Sequence, residues 1–145
     1  MTGPPPAKDG FICPELEFHL DTFRIGEYAE ALGDPNPRFR RRGRDHSHVV
    51  APPAMAAAYI QEPVRELFRR PELAEQLGVP VERIMVAEIE YRYHRLVRAG
   101  EWLRVGGRLR HREAKGDKEV LVFETEARDD AGNVVTSAEI TIIRR

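Results

Sequence analysis

Residues 28–39 read Tyr28-Ala29-Glu30-Ala31-Leu32-Gly33-Asp34-Pro35-Asn36-Pro37-Arg38-Phe39. With Ile25 upstream, the residues Tyr28, Ala29 and Leu32 fall at i, i+3, i+4 and i+7, so the spacing predicts one apolar face of a short helix. Asp21 or Thr22 offers its N-cap. Gly33 is expected to end it, because glycine enters the left-handed C-cap conformation with no Cβ to clash. Pro35 and Pro37 then forbid continuation, since proline lacks the N–H that a helix needs. Asp34 and Asn36 are left in a turn, where short polar side chains bond nearby backbone amides.

On the N-terminal side, Glu15 to Leu20 alternates polar and apolar and predicts a short strand. On the other side lies a polar loop, residues 38–48, with five arginines between positions 38 and 44. Ala51-Pro52-Pro53 leads into a longer helix whose early apolar positions include Met55, Ala58 and Tyr59. Pro63 is expected to divide it, because an interior proline costs roughly 3 kcal/mol. Val64, Leu67 and Phe68 restart the face, and Leu73 and Leu77 point inward from a last turn or two. From Ile84 the period changes to two. Ala87, Ile89, Tyr91 and Tyr93 share one face; Leu121, Phe123, Thr125 and Ala127 share another. Turn residues at 98–100, 115–117 and 129–133 separate the strands, the last running from about Val134 to Ile143. Helices first and a meander of antiparallel strands after gives an α+β domain with the long helix on one sheet face.

Bulk properties agree with one such domain in 145 residues. Residues 1–10 are proline-rich and are expected to be a flexible lead-in, leaving 11–145 as the folded unit. The chain is 41% hydrophobic and 32% charged, so it is globular rather than disordered. A net charge of −1 argues against nucleic acid as a partner. Cys13 is the single cysteine, which excludes an internal disulfide and a cysteine zinc site. No apolar run approaches the ~20 residues of a membrane span. A cytoplasmic location is the resulting expectation, with no metal and no cofactor.

Three stretches together carry a family resemblance. Gly33-Asp34-Pro35-Asn36-Pro37-Arg38-Phe39 resembles the Gly-Asp-x-Asn-Pro-x-His signature of the MaoC-like hydratases and dehydratases. Val50-Ala51-Pro52-Pro53-Ala54 is similar to the start of that family's central helix. Glu90-Tyr91-Arg92-Tyr93-His94-Arg95-Leu96-Val97-Arg98-Ala99-Gly100-Glu101 is similar to its Tyr-His-Arg-Pro-x-x-x-Gly-Asp strand and turn, with Leu96 for proline and Glu101 for aspartate. The resemblance implies a hotdog fold, a curved antiparallel sheet wrapped around a central helix. It also implies interconversion of 3-hydroxyacyl and enoyl thioesters of CoA or of an acyl carrier protein. In the family, Asp and His form the acid/base pair. Here Phe39 stands at the His position, and phenylalanine can neither accept nor donate a proton. The chain is therefore most similar to the N-terminal, non-catalytic type, which shapes the acyl channel beside a catalytic hotdog. A heterodimer with such a partner, or a homodimer, is expected through unpaired strand edges.

Several residues are candidates on chemical grounds. Asp34 could hold the water or cap its turn, and Asn36 bonds the loop in either case. His46 or His48 could replace the missing base, making the chain a self-sufficient hydratase, or could be surface histidines. The cluster Arg38, Arg40, Arg41, Arg42 and Arg44, with Arg40, Arg41 and Arg42 foremost, could anchor CoA phosphates or the acidic face of a carrier protein, or be a solvated loop or pair with a partner subunit. Backbone amides near Ala54 and Met55 could polarise a thioester carbonyl. Tyr59 could line the acyl tunnel or belong to the core. A binding or scaffolding protein without turnover is the remaining alternative.

Overall fold

The computed structural model describes residues 10–145. Apart from Gly10, the expected lead-in lies outside the described residues. Strand β1 (Leu16–His19) precedes helix α1 (Thr22–Leu32). Three short helices follow: α2 (Ala56–Tyr59), α3 (Glu62–Arg69) and α4 (Pro71–Leu77). Then come β2 (Ile84–Tyr93), β3 (Trp102–Lys115), β4 (Lys118–Arg128) and β5 (Val134–Arg144). The strands form one antiparallel sheet in the order β1-β3-β4-β5-β2. Its inner face wraps the helices, which is the expected α+β hotdog arrangement.

The core forms where strand alternation meets helix periodicity. Leu121, Phe123, Thr125 and Ala127 of β4 are buried, and they pair with Ile142, Ile140, Ala138 and Thr136 of β5. Tyr59, Ile60, Val64 and Leu67 pack onto this face from the helices. Phe68 stands edge-on to Phe123, with ring centroids 6.3 Å apart. Burial of each such large apolar side chain stabilises the fold by about 1.5–3 kcal/mol.

Four features differ from the sequence expectation or refine it. First, the central helix is three pieces. The first break falls at Ile60–Gln61, and Pro63 sits inside the first turn of α3. A proline is accommodated there because those amides have no intrahelical partner. A second proline, Pro71, starts α4 after an extended Arg70. Second, the strands are not a simple meander. β2 pairs with β5 at one side of the sheet, while β3 pairs with β1 at the other. The hairpins after β3 and β4 are tight, but the longer Tyr93-to-Trp102 connection crosses the sheet end, held by a bridge between Val50 and Arg98. Third, Ala87 lies in a bulge, where the register jumps from Val86–Ile142 to Glu88–Thr141. The inward face of β2 is thus Val86, Ile89, Tyr91 and Tyr93, opposite the inward residues of β5. Fourth, Gly107 on β3 is required by close packing. A Cβ there would stand 2.9 Å from Thr125 Cγ2 and 3.3 Å from the Glu124 carbonyl oxygen, so glycine relieves crowding against β4.

Residues 10–13 run beside β3 as a strap. The Leu109 amide donates to the Phe11 carbonyl and the Cys13 amide to the Gly107 carbonyl, at 2.7 and 2.9 Å. Cys13 is 3% exposed, and burial pushes its thiol pKa up to about 12. At the crossing connection, Arg95 bonds both Glu101 oxygens, at 2.9 and 2.5 Å, and Asp129 at 3.0 Å. This ties the turn before β3 to the β4–β5 hairpin.

Candidate substrate site

Helix α1 organises the site from its two ends. Asp21 caps the start, its carboxylate accepting the Arg24 amide at 2.8 Å. Gly33 closes the other end at φ 68°, with its amide on the Glu30 carbonyl at 2.9 Å. The Asp34 amide donates back to Ala29, also at 2.9 Å. Asp34 Oδ1 then accepts the Asn36 amide, and Asn36 Oδ1 accepts the Arg38 amide, both at 3.0 Å. The two side chains thus run in series as turn caps, and Asn36 starts the 3₁₀ turn Pro37–Phe39. Phe39 is 8% exposed and belongs to the core cluster.

Arg40 turns back onto α1. Its guanidinium bonds Glu30 at 2.6 Å and the Asp34 carbonyl at 2.8 Å, which locks the loop. Arg41 lines the groove beside Phe23, Gly26 and Glu27 of α1. Arg42 faces a different recess, with a volume of about 530 Å³, which Arg38, Ser47, His48 and Arg98 also line. The arginines expected to form one anchor therefore divide between two places: Arg40 and Arg41 line the α1 groove, and Arg38 and Arg42 line the recess.

The histidines separate as well. His46 Nδ1 lies 2.9 Å from Thr22 Oγ1, at the start of α1. Eleven residues at 1.5 Å each put roughly 16 Å of helix between that end and Asp34. His48 Nε2 donates to the Arg40 carbonyl at 2.8 Å. Neither histidine bonds Asp34.

The start of the central helices is brought onto α1 instead. Tyr28 donates its hydroxyl to the Ala54 carbonyl at 2.9 Å. Ala54 sits exposed in the 3₁₀ turn Pro53–Met55, where the first amides have no intrahelical partner. Met55 is buried and its amide bonds the Pro52 carbonyl at 2.9 Å, so of the two amides considered Ala54 is the open one. Tyr59 is buried, with its hydroxyl 2.9 Å from Thr136 Oγ1 and its ring 5.7 Å from Phe18. Desolvation raises its pKa, so it remains a neutral phenol. Asp34 and Ala54 are thus held against the same half of α1, and His46 is not.

Two contributors were not visible in the sequence. Arg98 reaches the Arg42 recess through its bridge to Val50, a pairing between segments 48 residues apart. The Tyr28 hydroxyl was read only as part of an apolar face.

The model of the family described as "FAS1-like, dehydratase domain region" matches residues 10–138. A UPF0336 protein of Streptomyces avermitilis is 29% identical over 136 residues, 91% of this chain and 88% of that protein. Among solved structures, the MaoC-like dehydratase from Rhodospirillum rubrum superposes with a TM-score of 0.69 at 18% identity, covering 96% of this chain and 94% of that one. This chain belongs to the FAS1-like dehydratase-domain family, and its fold is the hotdog fold of the MaoC-like dehydratases. A further structural neighbour is the C-terminally truncated HadBC (3R-hydroxyacyl-ACP dehydratase) complex from Mycobacterium tuberculosis. It gives a TM-score of 0.73 at 20% identity, covering 93% of this chain and 96% of that one. Against the MaoC-like signature quoted above, the present chain has its turn-forming residues in place and a core phenylalanine in place of the histidine.

Proposed function

We propose that this MaoC-like chain is the non-catalytic subunit of an acyl-thioester hydratase/dehydratase, lining the substrate channel beside a catalytic hotdog partner. The observation that carries this reading is that Phe39, which stands where the signature has histidine, is buried in the core. Hydration of an enoyl thioester needs a held water, a proton delivered to Cα and a polarised carbonyl. Asp34 Oδ2 makes no hydrogen bond among the described residues and could hold water, but no second proton-transfer group bonds Asp34. The Ala54 amide supplies a donor for the carbonyl. One half of the chemistry is thus available here and the other half has to come from a partner. Strand β2 offers an edge for it. Met85, Val86 and Tyr93 are 45%, 52% and 46% exposed along a strand with one side unpaired. The HadBC neighbour, described as a complex, supports a paired assembly.

The test is hydration of crotonyl-CoA, followed as loss of enoyl absorbance, with the chain alone and with a co-expressed hotdog partner carrying the intact signature. Turnover only with the partner is the expected result. Robust turnover by the chain alone would overturn the subunit reading and direct attention to His48 or His46. Thioester binding without turnover in either case would favour a binding role.

A further inference from the structure

The arginine loop contains a second arrangement that the hydration chemistry does not use. Arg38, Arg42 and Arg98 line one recess of about 530 Å³ together with Pro37, Ser47, His48 and Val50. Their positions are set by backbone pairing. The Val50 amide donates to the Arg38 carbonyl at 2.9 Å, and Val50 bridges Arg98 on its other side. The amides of Ala51 and Ala99 extend that pairing to the Val97 and Val49 carbonyls, at 2.8 and 2.9 Å. Arg42 is fixed by mutual bonds with Asp45, at 3.2 and 2.9 Å. Among the described residues, none of the three guanidinium groups is in an ion pair, although most other arginines of the chain are. Asp45, the carboxylate of this loop, is occupied by the Ser47 amide and hydroxyl, at 3.0 and 2.7 Å. Its other oxygen lies 4.0 Å from His48 Nδ1.

Three unpaired guanidinium groups around one recess form a site for several phosphate oxygens, since each planar fork can donate two parallel hydrogen bonds. A volume of this size lies within the usual range of roughly 300–1,000 Å³ for small-molecule sites. We infer that the Arg38–Arg42–Arg98 recess binds the phosphorylated nucleotide end of an acyl-CoA. This inference rests on the acyl-thioester reading, and it selects the CoA form of the substrate over the carrier-protein form. The three arginines line one recess rather than lying spread along a face, which suits the clustered phosphates of a nucleotide better than a protein surface. Of the arginines expected from the sequence to anchor phosphates, Arg38 and Arg42 line the recess and Arg98 joins them, whereas Arg40 is held by Glu30 and Arg41 faces the other groove.

Titration calorimetry of the full-length chain with adenosine 3′,5′-bisphosphate tests the site directly. The expected result is saturable binding that weakens as salt rises. Arg42→Gln and Arg98→Gln should each weaken it roughly tenfold, with Arg98→Lys intermediate. Arg41→Gln, a loop charge outside the recess, should stay within about twofold. Unchanged melting temperatures in these exposed-side-chain variants would show that binding, not folding, was altered. No bisphosphate binding would overturn the inference, as would equal losses in Arg41→Gln and Arg98→Gln. Inorganic phosphate binding as tightly as the bisphosphate would overturn the nucleotide assignment. So would capture of a holo acyl carrier protein, lost in Arg98→Gln, when the nucleotide does not bind. Turnover separates this site from the reaction. Bisphosphate binding with no hydration by the partnered chain would leave the site standing and remove the hydratase reading. Hydration with a KM for crotonyl-CoA unmoved by Arg98→Gln would do the reverse.

Discussion

Two segments lean on the same half of α1 and have opposite characters. In Gly33–Arg40 the polar groups serve the chain itself: Asp34 caps Asn36, Asn36 caps Arg38, Arg40 clamps the Asp34 carbonyl and Phe39 fills the core. In Ala51–Met55 the chain starts a helix, anchors it through Tyr28 and leaves Ala54 exposed. In the proposed reading, the first stands where a hydratase would move protons and the second where it would bind the carbonyl. Their difference shows that a signature can persist for its turn chemistry. Removing Asp34 or Asn36 would leave a backbone amide without its partner, whether or not any proton is transferred nearby.

The sharpest way to break this comparison is at Phe39. Phe39→Ala should cost about 3–4 kcal/mol, because it removes a buried aromatic side chain and leaves a cavity. Thermal melting should show a fall of roughly 6–16 °C. Phe39→His should also destabilise and leave crotonyl-CoA hydration by the chain alone at background. A gain on the order of 10²-fold or more there would mean that only the imidazole was missing.

A smaller effect is expected at Gly107, which lies close against β4. Gly107→Ala should destabilise by about 1–3 kcal/mol through overpacking against Thr125 and the Glu124 carbonyl. Partnered turnover should stay within a few-fold of the parent at a temperature where the variant is folded. A large loss there would tie the sheet under the helices to the carbonyl-binding half.

Asp34→Ala should cost about 1 kcal/mol, the usual value of a lost turn or cap bond. Partnered hydration should stay within a few-fold of the parent. A loss of roughly 10²–10⁴-fold would make Asp34 an acid/base group and dissolve the contrast between the halves.

The smallest effect concerns pH. Burial favours the protonated form of Glu101, but the Arg95 and Arg98 bonds outweigh it and hold the carboxyl below its ordinary range. Asp129 is lowered by its bond to Arg95 and by the Asn133 and Ala131 amides. Folded values below the unfolded values of about 4 stabilise the fold fully above that range. The contribution is lost as pH falls through the lowered folded values. Glu101→Gln should therefore narrow the difference in melting temperature between pH 7 and pH 3. If that difference stays at the parental size, the Arg95 network is not what secures the connection carrying Arg98.

Local chemistry was legible in the sequence. The α1 face, the Gly33 stop and the β4 alternation each depend on neighbours within a turn or a pleat, and each is present. What was not legible depends on distant partners. The Ala87 bulge comes from pairing with β5, and the crossing after β2 comes from the Val50–Arg98 bridge. Pro63 marks the division of the helix as expected, but the break itself falls just before it, at Ile60–Gln61, and the proline sits in the first turn of the next piece. In the site, the burial of Phe39 and the parting of Arg40 and Arg41 from Arg42 depend on the loop's three-dimensional path. Arg98 carried no sequence signal beyond its place in a turn.

Cys13 gives the molecule an internal clock. Its thiol is shut under the strap, and with a pKa near 12 it is almost wholly protonated at neutral pH. A thiol reagent can consume it only when residues 10–13 peel away from β3. The labelling rate of this single cysteine therefore counts the excursions of the strap, and any partner, ligand or substitution that quiets that sheet edge will slow the count.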